Sequence, residues 1–158
     1  MKAGKNPDFV IRQAKPADLQ QLMHLETTTF SCEQLSPRRM RHWIDADNGI
    51  LLVAVTADAP QHVVGYCLAF TRSDSAVARA YSLAIAAEAR GKGLGRTLME
   101  SIEKACKRKG STAIRLEVAK NNKIALSLYE TLNYSRYMSL PGYYEDGQDA
   151  WRMQKPLR

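Results

Sequence analysis

At 158 residues, with 45% hydrophobic and 25% charged positions, the chain has the size and apolar content of one compact core, and a single domain spanning 1–158 is expected. The longest aliphatic run, Ile50 to Val55, is far too short to cross a bilayer, and Met1 to Phe9 carries cations without the apolar segment of a leader, so no membrane partner is read and a cytoplasmic protein is expected. Three cysteines without Cys-x-x-Cys spacing read as buried free thiols, and His24, His42 and His62 lack the spacing and neighbours of a zinc site, so no metal is expected.

The formal net charge is +7, with a sequence pI of about 9.5. A polyanionic partner would explain it, but much of the excess falls on Lys104, Lys107, Arg108 and Lys109, at the end of a predicted helix where cations meet the negative end of the dipole. No aromatic RNA-recognition signature, zinc finger or basic helical stripe accompanies the charge, which argues against nucleic acid.

In chain order, "FVIRQA" alternates as a first strand, and "PADLQQLMHLETTTF" predicts a helix opened by Pro16, with Leu19, Leu22, Met23 and Phe30 near helical spacing. "SPRRMRHWIDA" predicts a second, capped by Ser36 and ended by Gly49. The runs "ILLVAVTA", "HVVGYCLAFTR" and "AVARAYSLAIA", with turns at "DAPQ" and "SDS", predict an antiparallel meander. A helix through "LGRTLMESIEKACKRKG", with Leu94, Leu98, Ile102 and Ala105 on one face, then leads into a strand, "TAIRLEVA". Strand, helix, strand implies a parallel pair with a right-handed crossover. "NNKIALSLYETLNY" is one more helix, with Asn121 or Asn122 as cap and Asn133 at a left-handed exit. "YSRYMSL" and "DAWRMQKPL" close the chain as strands around "PGYYEDGQ".

Between the meander and the longest helix lies "RGKGLGR", where Arg90, Lys92 and Arg96 interleave with Gly91, Gly93 and Gly95. Glycines ahead of a helix start let an anion approach exposed N–H groups and the positive end of the dipole. A P-loop would need Lys then Ser or Thr after its last glycine, whereas Gly95 is followed by Arg96 and Thr97. A dinucleotide fingerprint would open a doubly wound sheet; here several antiparallel strands come first and too little chain follows, although Glu117 stands about where a ribose-binding acid would.

The loop resembles the R-x-x-G-x-G pyrophosphate loop of the GCN5-related N-acetyltransferase (GNAT) superfamily through Arg90, Gly93 and Gly95, and "LEVAKNNKIALSLYETLNY" is similar to the RimI-type ribosomal-protein-alanine N-acetyltransferases. The resemblance implies an α+β fold with a mixed sheet: a strand, two helices, an antiparallel meander, then loop, helix and strand with splayed central strands. It implies direct acetyl transfer from acetyl-CoA to a primary amine, a protein α-amine among the candidates, with a lysine side chain, a small amine or a noncatalytic CoA sensor as alternatives, in a monomer or homodimer. By position, Leu83, Ala84 and Ile85 would face the pantetheine and acetyl group, and Arg90, Gly91, Lys92, Gly93, Leu94, Gly95 and Arg96 the pyrophosphate. Asn122 would contact the cofactor, Tyr129 protonate the departing thiolate and Glu117 act as general base, while Phe30, Tyr143 and Tyr144 would border the acceptor.

Local readings compete with each role. Tyr129 can be a core aromatic, Glu117 can pair with Arg115 on a strand face, Asn122 can cap its helix, and Tyr143 and Tyr144 can pack a turn. The chain also lacks the Phe-Pro-Trp segment of the RimI pattern, with "FSCEQLSPRRM" in its place and only Phe30 retained, which weakens the case for a ribosomal alanine acceptor.

Overall fold

A computed structural model describes residues 7–158; the stretch read above as too polar for a leader lies largely outside the described residues. The strands are β1 (Phe9–Gln13), β2 (Gly49–Thr56), β3 (Ala59–Arg72), β4 (Ser75–Ile85), β5 (Ala113–Ala119), β6 (Ser135–Leu140) and β7 (Ala150–Pro156). The helices are α1 (Leu19–Thr29), α2 (Pro37–Asp45), α3 (Leu94–Arg108) and α4 (Lys123–Thr131). All strands join one sheet in the order β1-β2-β3-β4-β5-β7-β6, antiparallel except for β4 and β5. No helix among the described residues is long and apolar enough to cross a membrane.

Both faces of the sheet centre are covered, which is why β2 reads as an unbroken apolar run. Ile50, Leu52 and Ala54 join the cluster under α3 with Leu94, Leu98 and Ile102, whereas Leu51, Val53 and Val55 join Leu22, Leu25 and Met40 of α1 and α2. The period-two alternation of a strand divides one sequence between two cores.

Local signals behave largely as their chemistry predicts. The Arg39 N–H donates to Ser36 Oγ at 3.1 Å, that of Ala125 donates to Asn122 Oδ1 at 3.2 Å, and Asn133 leaves α4 at φ 73°. Three expectations are corrected. Gly49 opens β2 instead of ending α2, and its glycine identity answers to packing, since a Cβ there would lie 2.6 Å from the Trp43 ring. Pro16 starts a separate 3-10 turn, Pro16–Asp18, ahead of α1. Cys67 and Cys106 are buried, but Cys32 is half-buried in the α1–α2 loop, with its Sγ 3.9 Å from Asp146.

Candidate active site

The site begins where the sheet opens. β4 pairs with β5 only over Val77–Arg79 and Ala113–Arg115, after which the two strands separate, while β4 stays on β3 as far as Ile85. Ala86 N–H donates to Val64 O at 2.8 Å. Because antiparallel ladders alternate, Ala84 and Ser82 also turn to β3, which directs the N–H and C=O of Leu83 and Ile85 into the opening. The Ile85 carbonyl there accepts from Arg90 Nε at 3.3 Å. A bulge at Tyr81, where pairing steps from Ala80–Ala69 to Ser82–Leu68, coincides with the split and turns the strand.

The glycine loop closes the end of this opening, and its glycines serve two needs. Gly91 and Gly93 have φ of 76° and 75°, in the left-handed region that glycine enters at little cost. Gly95 lies inside α3, where a Cβ would come 3.3 Å from Leu128 and 3.9 Å from Leu83, so its smallness lets α3 approach α4 and β4. The first helical bond runs from Thr97 N–H to Gly93 O at 3.1 Å. The N–H groups of Leu94, Gly95 and Arg96 therefore precede the ladder and point out of the helix start, where they suit an anion. Arg90, Lys92 and Arg96 are exposed around it, Arg96 lying 3.7 Å from Glu100. With open space over Gly91 and Gly93 and cations at its rim, the loop has the room, donors and charge that suit a pyrophosphate.

Tyr129 lies on α4. It is half-buried, its ring meets that of Tyr134 edge-on at 5.7 Å, and it packs against the α3-side core. Burial pushes its phenol above the ordinary value near 10, with Cys67 and Tyr144 adding to the rise, so the hydroxyl keeps its proton at neutral pH. Asn122, four residues beyond Val118 of β5, is spent at least in part on capping α4.

On the opposite face lies Glu117, whose side chain is only 4% exposed. Arg79 Nε donates to its Oε1 at 2.9 Å and Arg152 Nε to its Oε2 at 2.8 Å, while Arg115 stands 3.8 Å away. The strand-face pairing anticipated with Arg115 is thus dominated by Arg79 and Arg152. Neither arginine has a local motif to mark it; only the register that sets Arg152 opposite Glu117 brings the first of these charges together. Arg79 also donates to the Tyr143 hydroxyl at 2.9 Å. Tyr143 and Tyr144 meet edge-on at 5.0 Å. Burial, with Tyr143, Glu117 and Glu33 nearby, raises the Tyr144 phenol to about 12.

Two loops bracket this face. Glu145 N–H donates to Glu33 Oε1 at 3.2 Å, joining the β6–β7 loop to the α1–α2 loop. The α1–α2 loop is anchored from below: buried Glu26 accepts from Leu35 N–H at 2.6 Å and from the Tyr66 hydroxyl, which lies 2.9 Å from Ser82 Oγ on the splayed strand. Phe30 sits at the root of the loop, half-buried against the α1/α2 core. Sequence reading missed Glu26, Tyr66 and Ser82, since a glutamate inside an amphipathic helix carries no sign that it will be buried.

A splayed strand pair with backbone groups turned inward and a glycine-lined helix start at one end fit the class of acyltransferases that use coenzyme A thioesters. The chain belongs to the acetyltransferase (GNAT) family, whose profile matches residues 19–134. It is similar to the N-alpha-acetyltransferase of Saccharolobus solfataricus, 30% identical over 168 residues, covering 97% of this chain and 96% of the relative. In fold it resembles the ribosomal-protein-S18-alanine N-acetyltransferase from Escherichia coli, with a TM-score of 0.82 at 21% identity and 94% of each chain covered. It also resembles Arabidopsis thaliana NAA60 in complex with acetyl-CoA, with a TM-score of 0.85 at 16% identity, covering 94% of this chain and 98% of the other. The protein is an acetyl-CoA-dependent N-acetyltransferase that acetylates a primary amine. Among the described residues no cluster of three or more His, Cys, Asp or Glu could hold a metal ion.

Proposed function

We propose that the acceptor is the α-amine of a polypeptide and that the acetyl group passes to it directly, in one cytoplasmic protein domain of the RimI-like kind. The observation that carries this is the bracket over the splay: the α1–α2 loop and the β6–β7 loop, which itself carries Tyr143 and Tyr144, are joined through Glu33 and Glu145 and bound the acceptor face. The S. solfataricus relative, named an N-alpha-acetyltransferase, supports the same reading. Unpaired thiols at Cys67 and Cys106 suit a reducing compartment.

In this reading the loop from Arg90 to Arg96 holds the pyrophosphate, and Leu83, Ala84 and Ile85 line the pantetheine arm, with Asn122 beside it. Acetyl-CoA supplies the activated acyl group. The Ile85 N–H, directed into the opening, is the donor for charge developing on the acyl oxygen. Tyr129, held protonated by burial, gives its proton to the departing thiolate, whose reference pKa near 8.5 lies well below that of the phenol. Glu117 has both oxygens occupied by guanidinium N–H groups, which suits a fixed organiser of Arg79 and Arg152 better than a base that must take up a proton. An α-amine with a reference pKa near 8 is partly neutral at physiological pH and attacks without Glu117; the proton its nitrogen sheds as the amide forms passes to solvent water, from which the Tyr129 phenolate regains its own. Phe30 shapes the acceptor loop from its root.

The test follows CoA thiol release from acetyl-CoA across amino-terminal peptides, lysine peptides with blocked amino termini and small amines, for the wild type and Tyr129→Phe. Turnover of the first class is expected, with kcat lowered by about 100-fold or more in the variant at little change in the KM for acetyl-CoA. Turnover confined to lysine peptides or small amines would overturn the α-amine acceptor. CoA binding without any acceptor-dependent release would favour a sensor, and unchanged kcat in Tyr129→Phe would remove that residue's role.

A further inference from the structure

On the acceptor face, just where β4 and β5 are still paired, a groove of about 210 Å³ is lined by Phe70, Arg72, Asp74, Ser75, Val77, Arg79 and Arg115. Strand alternation places Arg79, Arg115 and Glu117 on the face away from Ala78, Ile114 and Leu116, which are buried under α3. The groove therefore opens on the side of α1 and α2 and runs up to Tyr143 through the Arg79 contact at 2.9 Å.

The charge of this surface is unbalanced. Arg72, Arg79, Arg115 and Arg152 face two carboxylates, Asp74 and Glu117, which leaves a surplus of two positive charges. Arg79 and Arg152 are held by Glu117 at hydrogen-bond distance, and Arg79 also lies over the Tyr81 ring at 5.2 Å and the Phe70 ring at 5.9 Å, so its plane is fixed. Arg115 is different: it reaches Glu117 only at 3.8 Å and its side chain is 37% exposed, so part of its fork is open to another carboxylate. Arg72 is exposed at the groove's outer end, shared with Asp74. A surface that concentrates guanidiniums beside an aromatic floor, without matching carboxylates, is suited to a partner that brings its own.

Resting on the α-amine reading above, we infer that this groove binds acidic side chains of the acceptor downstream of its amino terminus. Four residues of β4 separate Arg79 from Leu83, so an extended acceptor whose amine lies beside Leu83 and Ile85 passes over the groove about three to five residues along, at roughly 3.4 Å per residue. The preferred acceptors are therefore polypeptides with Asp or Glu at about the second to fifth positions, and acceptors with Lys or Arg there are disfavoured by like charge. The acidic rim of Glu33, Glu145 and Asp146 lies at the loop bracket instead, so the two signs of charge occupy separate parts of this face.

The experiment compares three peptides with the same first residue and glutamate, alanine or lysine at positions two to five. The wild type and the double variant Arg72→Gln, Arg115→Gln are used at low and high salt. Neither variant residue holds Glu117 at hydrogen-bond distance; Arg72 is well exposed and Arg115 about one-third exposed, and glutamine keeps most of each side chain's packing, so the fold and the chemistry should persist. The wild type is expected to favour the glutamate over the alanine peptide by about tenfold in kcat/KM, carried by KM, with the lysine peptide lower still and the spread narrowing at high salt. The double variant should bring glutamate and alanine within about twofold while leaving kcat unchanged. Turnover of all three peptides at equal kcat/KM, or a preference that survives in the double variant, would overturn the groove's role. Turnover of none of them alongside turnover of lysine or small-amine acceptors would instead overturn the α-amine reading and this inference with it.

Discussion

At the scale of single residues, the glycine loop shows how three identical letters carry different demands. Gly93 needs a left-handed backbone, so Gly93→Ala should cost about 1–2 kcal/mol in stability, measured by urea unfolding, and raise the KM for acetyl-CoA as the helix start tilts. Gly95 has no such backbone demand; Gly95→Ala should spread its cost through Leu128, 3.3 Å away, and so respond to a compensating Leu128→Val. Glu117 is the second case. With its side chain 4% exposed between partly exposed arginines, Glu117→Ala leaves their guanidinium groups without a partner and should destabilise by about 1–3 kcal/mol in the same assay. The motif around Glu117 is legible in the sequence, but its partners are not, because Arg79 comes from another strand 38 positions earlier and Arg152 from one 35 positions later.

At the scale of elements, buried carboxylates fasten helices to strands. Asp18 accepts from Arg12 of β1 at 2.8 and 2.9 Å and from Lys15 N–H at 2.7 Å, fixing the entry into α1. The Arg12 hydrogen bond holds its carboxyl below the ordinary carboxylate value, outweighing the opposing effect of burial. A lowered folded-state pKa means that the stabilisation is fully present above the unfolded value, about 4, and is lost as pH falls through the depressed one. Wild type should therefore exceed Asp18→Asn in stability at neutral pH, with the gap closing in acid; a gap independent of pH would exclude the linkage. Glu26 plays the corresponding role for the α1–α2 loop. Tyr66→Phe removes one donor to it and should cost about 1–3 kcal/mol, with the KM for the acceptor rising more than that for acetyl-CoA, since the loop borders only the acceptor face. Helix starts at Ser36 and Asn122 were legible because a cap is a contact between residues three apart. Gly49 misled because the ring that excludes its Cβ belongs to a helix, where its own neighbours in sequence gave only a turn signal.

At the scale of the whole molecule, the opening between β4 and β5 is a place where a buried sheet forgoes pairing, and a ligand that fills it should tighten both halves. Acetyl-CoA at about 100 times its Kd should add about 2.7 kcal/mol, a rise in Tm of roughly 5–10 °C for a chain of this size; a melt insensitive to acetyl-CoA and CoA would contradict the assigned site. The order of strands and helices, the parallel crossover and the glycine cradle were all determined by the sequence itself, through periodicity, turn chemistry and short spacings that act between near neighbours. The extent of the splay, the arginines gathered around Glu117, the burial of Glu26 and the bracket over Tyr143 and Tyr144 were decided only by the tertiary structure. Each depends on register between strands or loops far apart in the chain, and a charge or a backbone group acquires its partner only when that register closes.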